Sequence, residues 1–260
     1  AGDRVAGLLP RTPDLLATIL GVWRLGAVYQ PLFTAFGPKA IEHRLVTAGT
    51  RAVVTDAGNR AKLDGITHDA TVICVSGART GDIDLPAELA AQSTRLDPVR
   101  LPGDSPFLIM FTSGTTGAPK SLVVPLKAIA AFAGYMRDAV GLASTDRFWN
   151  LADPGWAYGL YYAVVGPLAL GHATLFYSGG FRQILRVSSA GEALNPEVAR
   201  WFDAHLGAPI RDHYGQTELG MVVCNHHGLV HPVRPGSAGF PVPGHRVVVV
   251  SEAGEELGPQ

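Results

Sequence analysis

The chain has 260 residues, of which 47% are apolar and 17% charged, which excludes a disordered chain because enough apolar surface exists to offset the entropy lost on ordering. The length suits one large domain or two small ones. With 21 basic and 22 acidic residues the net charge is −1, and no Lys/Arg cluster offers a footprint for nucleic acid or a membrane surface.

Two cysteines, Cys74 and Cys224, are too few for a disulfide framework and suit a reducing, cytoplasmic setting. The start, Ala1-Gly2-Asp3-Arg4, lacks the basic and apolar pattern of a signal peptide. The most apolar window, 159–177, contains Pro167 and His172 and reads as a buried helix followed by a strand, with no membrane span.

In chain order, Arg4 to Leu9 reads as a strand. Thr12-Pro13-Asp14 starts a helix, with a hydroxyl at the cap, proline in the first turn and an acid near the positive dipole end. Leu15, Leu16, Ile19, Leu20 and Trp23 recur at helical spacing, and Gly26 stops the helix. Val28 to Leu32 is a buried run. A second helix runs from Pro38 to Ala48 and ends at Gly49; strands follow at Arg51–Thr55 and Ala70–Ser76. This rhythm predicts a parallel sheet with right-handed crossovers.

Residues 77–105 show no period and read as a long surface connection. Pro106 to Thr112 is a fully buried strand. Beyond it, Arg147–Ala152, Ala173–Tyr177 and Ile184–Ser188 read as strands. Asn195-Pro196-Glu197 starts a helix to about Leu206, Pro209–Tyr214 is a strand, and His245–Ser251 is a strand leading to a turn at Glu252–Glu255. The chain therefore reads as three stretches, 1–105, 106–181 and 182–260.

Four segments carry chemistry. The loop Thr112-Ser113-Gly114-Thr115-Thr116-Gly117-Ala118-Pro119-Lys120 follows the buried strand. Its glycines free backbone N–H groups to turn toward an anion, its hydroxyls add donors and its lysine adds a point charge, a set that suits a polyphosphate. Ala118 and Pro119 separate the lysine from the glycine, so this is not a Walker A loop; the plainer alternative is a polar hairpin turn.

The second segment, Asp212-His213-Tyr214-Gly215-Gln216-Thr217-Glu218, offers a flat ring for a base, a neutral hydroxyl for an oxyanion and a hard carboxylate for Mg2+, or is an ordinary strand-to-turn junction. The third, Gly191-Glu192-Ala193-Leu194, permits close approach of a base, or is a strand-to-helix loop capped by Asn195. The fourth, Asp153-Pro154-Gly155-Trp156-Ala157-Tyr158-Gly159, reads on its residues as a tight turn that sets a core tryptophan. His213 either lines a nucleotide or acyl pocket or is a satisfied structural histidine. His226, His227 and His231 lack zinc-site spacing and read as polar loop residues. No hydrolase signature surrounds Ser113.

Together these segments resemble the adenylate-forming (AMP-binding) superfamily of acyl-CoA synthetases, peptide-synthetase adenylation domains and luciferases. The T-S-G-T-T-G-x-P-K loop matches its signature, except that Ser121 stands where glycine is usual; Tyr214–Glu218 matches Y-G-Q-T-E, and Gly191–Leu194 matches G-E-x-L. The D-x-G-W-x-x-G segment is similar to the acetyl-CoA and medium-chain acyl-CoA synthetase branch.

The resemblance implies an α/β large N-terminal domain, with parallel sheets flanked by helices, that uses ATP, Mg2+ and coenzyme A as a substrate. It implies that Lys120 with Thr112, Ser113, Gly114, Thr115, Thr116 and Gly117 grips the β- and γ-phosphates. Gly191, Glu192, Ala193, Asp212, His213, Tyr214, Gly215 and Gln216 would line the nucleotide, with Tyr214 stacked on adenine. Thr217 would contact the α-phosphate, Glu218 would hold Mg2+, and Trp156, Tyr158 and Gly159 would border the acyl and pantetheine region. Lys120, Thr217 and Glu218 are thereby the catalytic candidates.

The implied activity joins a short- to medium-chain carboxylic acid to CoA through an acyl-adenylate. Alternatives are an aryl- or amino-acid-adenylating domain and a non-catalytic, truncated nucleotide-binding relative. The chain stops at Gln260, before the family's ribose-binding aspartate, hinge and small C-terminal domain with its catalytic lysine. At the 181/182 join, a segment of some tens of residues that the family carries is expected to be missing.

Overall fold

The computed structural model describes residues 2–112, 118–176 and 186–258. They fall into two compact units, one built from the stretch up to Ile129 with Trp149–Val164, the other from Ala130–Phe148, Val165–Thr174 and the segment from 186 onward.

The first unit begins with β1 (Arg4–Leu8), α1 (Pro13–Arg24), β2 (Val28–Pro31), α2 (Pro38–Ala48), β3 (Ala52–Thr55) and β4 (Thr71–Cys74). It continues with β5 (Ile83–Asp84), α3 (Leu85–Ala90), β6 (Pro106–Thr112) and β7 (Lys120–Pro125). The seven strands form one sheet in the order β5-β4-β3-β1-β2-β6-β7. The run β2-β1-β3-β4-β5 is a doubly wound order, in which the strands' carboxyl ends border the ligand crevice.

Burial explains the helices. Ile41 and Leu45, one turn apart on α2, meet Ala6 and Leu8 of β1, Val53 of β3 and Cys74 of β4 in one apolar cluster. Leu15, Ile19 and Val22 bury α1, and the Trp23 indole donates to the Phe107 carbonyl of β6 at 3.0 Å. Gly49 ends α2 in the left-handed conformation, as glycine there allows. Thr12 sits at the N-terminus of α1 but makes no side-chain cap; its hydroxyl turns back to the Pro10 carbonyl at 3.4 Å, so proline and acid alone mark the start.

Two expectations for this unit are corrected. The sheet is mixed, because β7 returns antiparallel to β6; residues 113–119 are too few for a parallel return, which takes roughly a dozen or more residues. The stretch 77–105 is not featureless: it holds β5 and α3, the latter capped by Asp84 Oδ1, which accepts from Ala87 N at 3.2 Å. Both elements are too short to show a period.

The middle of the chain forms α4 (Ala128–Gly134), a π-helical turn over Tyr135–Ala139, β8 (Phe148–Trp149), α5 (Ala157–Gly159), a second π-helical turn over Leu160–Val165, α6 (Gly166–Ala169) and β9 (Thr174–Leu175). The buried helical run before a strand is as expected, and no helix among the described residues is long and apolar enough to cross a membrane. The strands expected at 147–152 and 173–177 shrink to two residues each.

The second unit carries β10 (Val187–Ala190), α7 (Pro196–Leu206), β11 (Ile210–Gln216), β12 (Gly220–Cys224) and β13 (Phe240–Pro241) in a sheet of that strand order. β10 and β11 are parallel across α7; the other pairs are antiparallel. Asn195 Oδ1 accepts from Glu197 N at 2.8 Å to start α7, and Gly207 ends it. β10 is displaced toward the C-terminus from its expected span, with 184 and 185 outside the described residues. The long tail strand reduces to β14 (Val249–Val250), paired with β15 (Glu256–Leu257).

The closest steric constraint in the first sheet lies between β1 and β2, where a Cβ on Gly7 would fall 2.4 Å from the buried Tyr29 hydroxyl. Gly7→Ala should destabilise the protein by about 1–3 kcal/mol, the range for overpacking. Tyr29→Phe should recover part of that loss in a double-mutant cycle followed by urea melts; a strictly additive cycle would count against the contact.

Candidate functional site

In the first unit, the register of β6 and β7 sets Thr112 opposite Lys120. Ser113, Gly114, Thr115, Thr116 and Gly117 lie outside the described residues. The exit of the loop is fixed from α2, where His43 Nε2 donates to the Pro119 carbonyl at 2.9 Å and the His43 ring meets Phe111 edge-on. Lys120 is exposed and makes no ion pair among the described residues, whereas Lys127 is paired with Asp104 and Lys62 with Asn59 Oδ1. An uncommitted ammonium remains available to an anion.

The segment Asp153–Gly159 is built by close approach. Asp153 Oδ1 accepts from Gly155 N at 2.7 Å, and Asp153 Oδ2 lies 3.8 Å from Arg11 Nε. The Arg11 guanidinium also donates to the Leu151 carbonyl. A Cβ on Gly155 would fall 2.6 Å from Phe33 Cα, and one on Gly159 would fall 2.1 Å from the Asp153 carbonyl oxygen. Both glycines are therefore dictated by space.

Trp156 packs on Phe33 and Phe36 with centroids 5.7 and 5.5 Å away, yet stays 44% exposed. It is thus not a core tryptophan. Tyr158 stacks edge-on with Tyr162. Phe33 follows β2 and Thr112 ends its parallel neighbour β6, so both stand at the carboxyl edge of the sheet.

In the second unit, β10 and β11 run parallel with Ala190 opposite His213, which brings Gly191-Glu192-Ala193 beside the end of β11. Asp212 joins the two segments: its Oδ2 accepts from Leu194 N at 3.2 Å. Its Oδ1 is buried without a hydrogen-bond partner among the described residues. A buried acceptor left unmatched costs free energy that a ligand donor would recover. Alternation along β11 turns His213 inward and leaves Tyr214 49% exposed, with Gln216 Nε2 donating to the Tyr214 hydroxyl at 3.0 Å.

Gly215 sits at a bulge where a Cβ would fall 2.2 Å from the Gly220 carbonyl oxygen. Thr217, Glu218 and Leu219 form the tip of the β11–β12 hairpin, closed by Leu219 N donating to the Gln216 carbonyl, with Glu218 exposed.

The histidines differ from the sequence reading. His226 is buried, because the chain beyond β12 is drawn against the π-helical turn, where His227 N donates to the Ala139 carbonyl at 2.9 Å. His226 and His227 lie in the loop after β12, as expected, but His226 is buried and His227 half-buried. His213 is held at both ring nitrogens, by the Tyr135 hydroxyl at 2.6 Å and the Asn225 carbonyl at 3.2 Å. Burial, then the neighbouring His227, pushes the His213 imidazole down to about 3; burial and Arg211 push His227 down to about 4. Of the two open readings for His213, the satisfied structural one describes its contacts. No group of three metal-ligating side chains forms among the described residues. Tyr135 and Asn225 were not legible as site neighbours, since nothing in their local sequence marks a partner 78 or 12 residues away.

The sequence matches the family described as AMP-binding enzyme over residues 1–184 and 177–260. The chain belongs to the AMP-binding enzyme family. This family member is 30% identical to the acetyl-coenzyme A synthetase of Bacillus subtilis, over 99% of this chain and 53% of that protein. It is 27% identical to that of Pyrobaculum arsenaticum, over 99% and 49%. The first alignment runs over 304 positions, more than the 260 residues of this chain, so the relative fills positions that this chain leaves empty.

Among solved structures, a Brucella canis acyl-CoA synthetase superposes with a TM-score of 0.94 at 55% identity, over all of this chain and 55% of that one. An anthranilate CoA ligase solved with anthranoyl-AMP shares the fold, with a TM-score of 0.86 at 20% identity, over 99% of this chain and 58% of that one. The chain spans about half the length of the curated relatives it matches.

The depressed histidines set a pH dependence. Below the ordinary value of 6.5 the unfolded chain takes up protons that folded His213 refuses until about pH 3. Stability present at neutral pH is therefore lost as pH falls from 6.5, by about 1 kcal/mol per pH unit for that residue. Urea melts at pH 7 and pH 5 should show the loss, and His213→Gln should reduce it to the share that His227 contributes; a pH-independent wild-type midpoint would contradict the assignment.

Proposed function

We propose that the chain forms the nucleotide-binding part of an AMP-forming ligase that joins a short- to medium-chain carboxylic acid to coenzyme A. The observation that carries this reading is Asp212, whose buried Oδ1 has no donor among the described residues, beside the Gly191–Leu194 loop and two positions along β11 from the exposed Tyr214. An adenine base offers both complements, an exocyclic amine for the carboxylate and a flat face for the phenol. The family match, the acetyl-coenzyme A synthetase relatives and the Brucella canis structure support the same reading.

In this reading a carboxylate oxygen of the acid attacks the α-phosphorus of ATP and pyrophosphate leaves, giving an acyl-adenylate. The CoA sulfur, losing its proton, then attacks the acyl carbon and AMP leaves. Lys120, Thr112 and the hydroxyls and amides of Ser113–Gly117 take the β- and γ-phosphates, and Thr217 takes the α-phosphate. Such chemistry depends mostly on positioning and charge neutralisation. Glu218 is the carboxylate for Mg2+. When bound, Mg2+ supplies charge neutralisation on the phosphates.

Gly191, Glu192, Ala193, Gly215 and Gln216 frame the base, with Gly215 admitting the bulge that presents Tyr214 and His213 turned to the opposite face of the strand. Trp156, Tyr158 and Gly159 border the acyl and pantetheine region. The wall of Phe33, Phe36 and Trp156 supports a second reading, an aryl acid as substrate. The two family matches meet at 177–184, which supports the reading that relatives carry additional residues near the 181/182 join, itself outside the described residues. A cytoplasmic setting is supported by two free, buried cysteines.

Acid-dependent ATP–pyrophosphate exchange with a panel of alkanoic and aryl acids tests the proposal; no exchange with any acid would refute it. Glu218→Gln should lower the exchange rate by about two orders of magnitude, as expected for a lost metal contact. Asp212→Ala should raise the KM for ATP about tenfold and narrow the preference for ATP over ITP, which lacks the amine. An unchanged ATP/ITP ratio would remove Asp212 from the base.

A further inference from the structure

We infer that Tyr135, in the π-helical turn, is a positioning residue for the nucleotide strand and acts through His213; the inference rests on the nucleotide reading above. The His213 ring is buried and contacted at both nitrogens. Its Nε2 lies 3.2 Å from the Asn225 carbonyl, which only accepts, so Nε2 carries the proton. Nδ1 is left with its lone pair, and the Tyr135 hydroxyl, 2.6 Å away, is its donor. One tautomer and one ring orientation are thereby selected.

His213 stands between the two residues that face the base. On a strand, successive side chains point to opposite faces, so anchoring His213 inward fixes Asp212 and Tyr214 on the other face. The anchor is needed at this point because the ladder to β12 is irregular between Tyr214 and Gly215. Backbone pairing alone holds the strand less firmly beside such a bulge.

The π turn supplies the reach. The Tyr135 carbonyl accepts from Val140 N at 3.0 Å, a spacing of five residues, which shifts the phase of the helix relative to an α turn. The same turn presents the Ala139 carbonyl to His227 N at 2.9 Å. Gly141 and Gly228 complete the junction, where a Cβ on Gly141 would meet Gly228 Cα at 3.3 Å. Two hydrogen bonds from one turn thus grip β11 and the segment after β12. Nothing in the proposed chemistry uses the Tyr135 hydroxyl, which touches neither acid nor phosphate in that reading.

Tyr135→Phe removes the hydroxyl and keeps the ring. In ATP–pyrophosphate exchange the variant should raise the KM for ATP about fivefold to tenfold, with a smaller change in kcat, the size expected for one lost hydrogen bond. Nitrogen-15 NMR of histidine-labelled protein should show wild-type His213 protonated at Nε2 with Nδ1 hydrogen-bonded. In the variant the Nδ1 resonance should move toward that of a free lone pair. A thermal melt run alongside separates stability from positioning. A lowered melting temperature with unchanged KM for ATP would leave Tyr135 a structural residue and overturn the inference. So would a wild-type His213 protonated at Nδ1, a result that needs no variant. No ATP-dependent exchange in the wild type would sink the nucleotide reading and this inference with it, whereas normal wild-type exchange with an indifferent Tyr135→Phe would sink this inference alone.

Discussion

A single carboxylate organises the second unit. Asp212 lies on β11, yet its Oδ2 is committed to the backbone of the loop leaving β10. Parallel pairing brings the two carboxyl ends together, and the carboxylate then sets how the loop leaves its strand. One oxygen is engaged, and the other is buried without a hydrogen-bond partner among the described residues, so the group braces the junction of the two strands. Everything else in that unit serves the geometry: the inward histidine, the bulge and the hairpin tip that ends on Glu218.

Glycine does the corresponding work where chains approach. Gly215 admits the Gly220 carbonyl, and Gly159 admits that of Asp153. In each case the neighbour is backbone, which cannot rotate away as a side chain can. The motif glycines are therefore read as spatial requirements of the fold, and the residues beside them, Tyr214 and Tyr158, take their directions from those close passages.

The second unit also buries polar side chains. His213, Asn225 and His226 are all but inaccessible, and their mutual arrangement depends on the π turn and the strand hairpin rather than on any local sequence signal. Burial pushes the thiol of Cys224, nearby on β12, up to about 12, which keeps it protonated at neutral pH. In the first unit the Phe33, Phe36 and Trp156 rings meet from segments more than a hundred residues apart, and Arg44 rests its guanidinium over Phe36 at 4.1 Å.

The sequence by itself determined the family, the alternation of strands and helices in the first unit and the candidate segments. These are written in local terms: 3.6-residue periodicity in α1 and α2, the apolar run Phe107–Phe111 in β6, the Asn195 cap of α7, and loops whose residue types declare their chemistry. Tertiary structure alone decided the rest. The antiparallel edge at β7 follows from loop length and sheet pairing together, and the short strands β8, β9 and β14 are trimmed by the pairing available to them. The buried histidines and the Tyr135–His213 pair join residues 78 positions apart, and Trp156 owes its half-exposure to what its neighbours leave uncovered. Periodicity reports which face of an element is apolar; it carries no information on which distant element will cover that face, because that choice is made by packing in three dimensions.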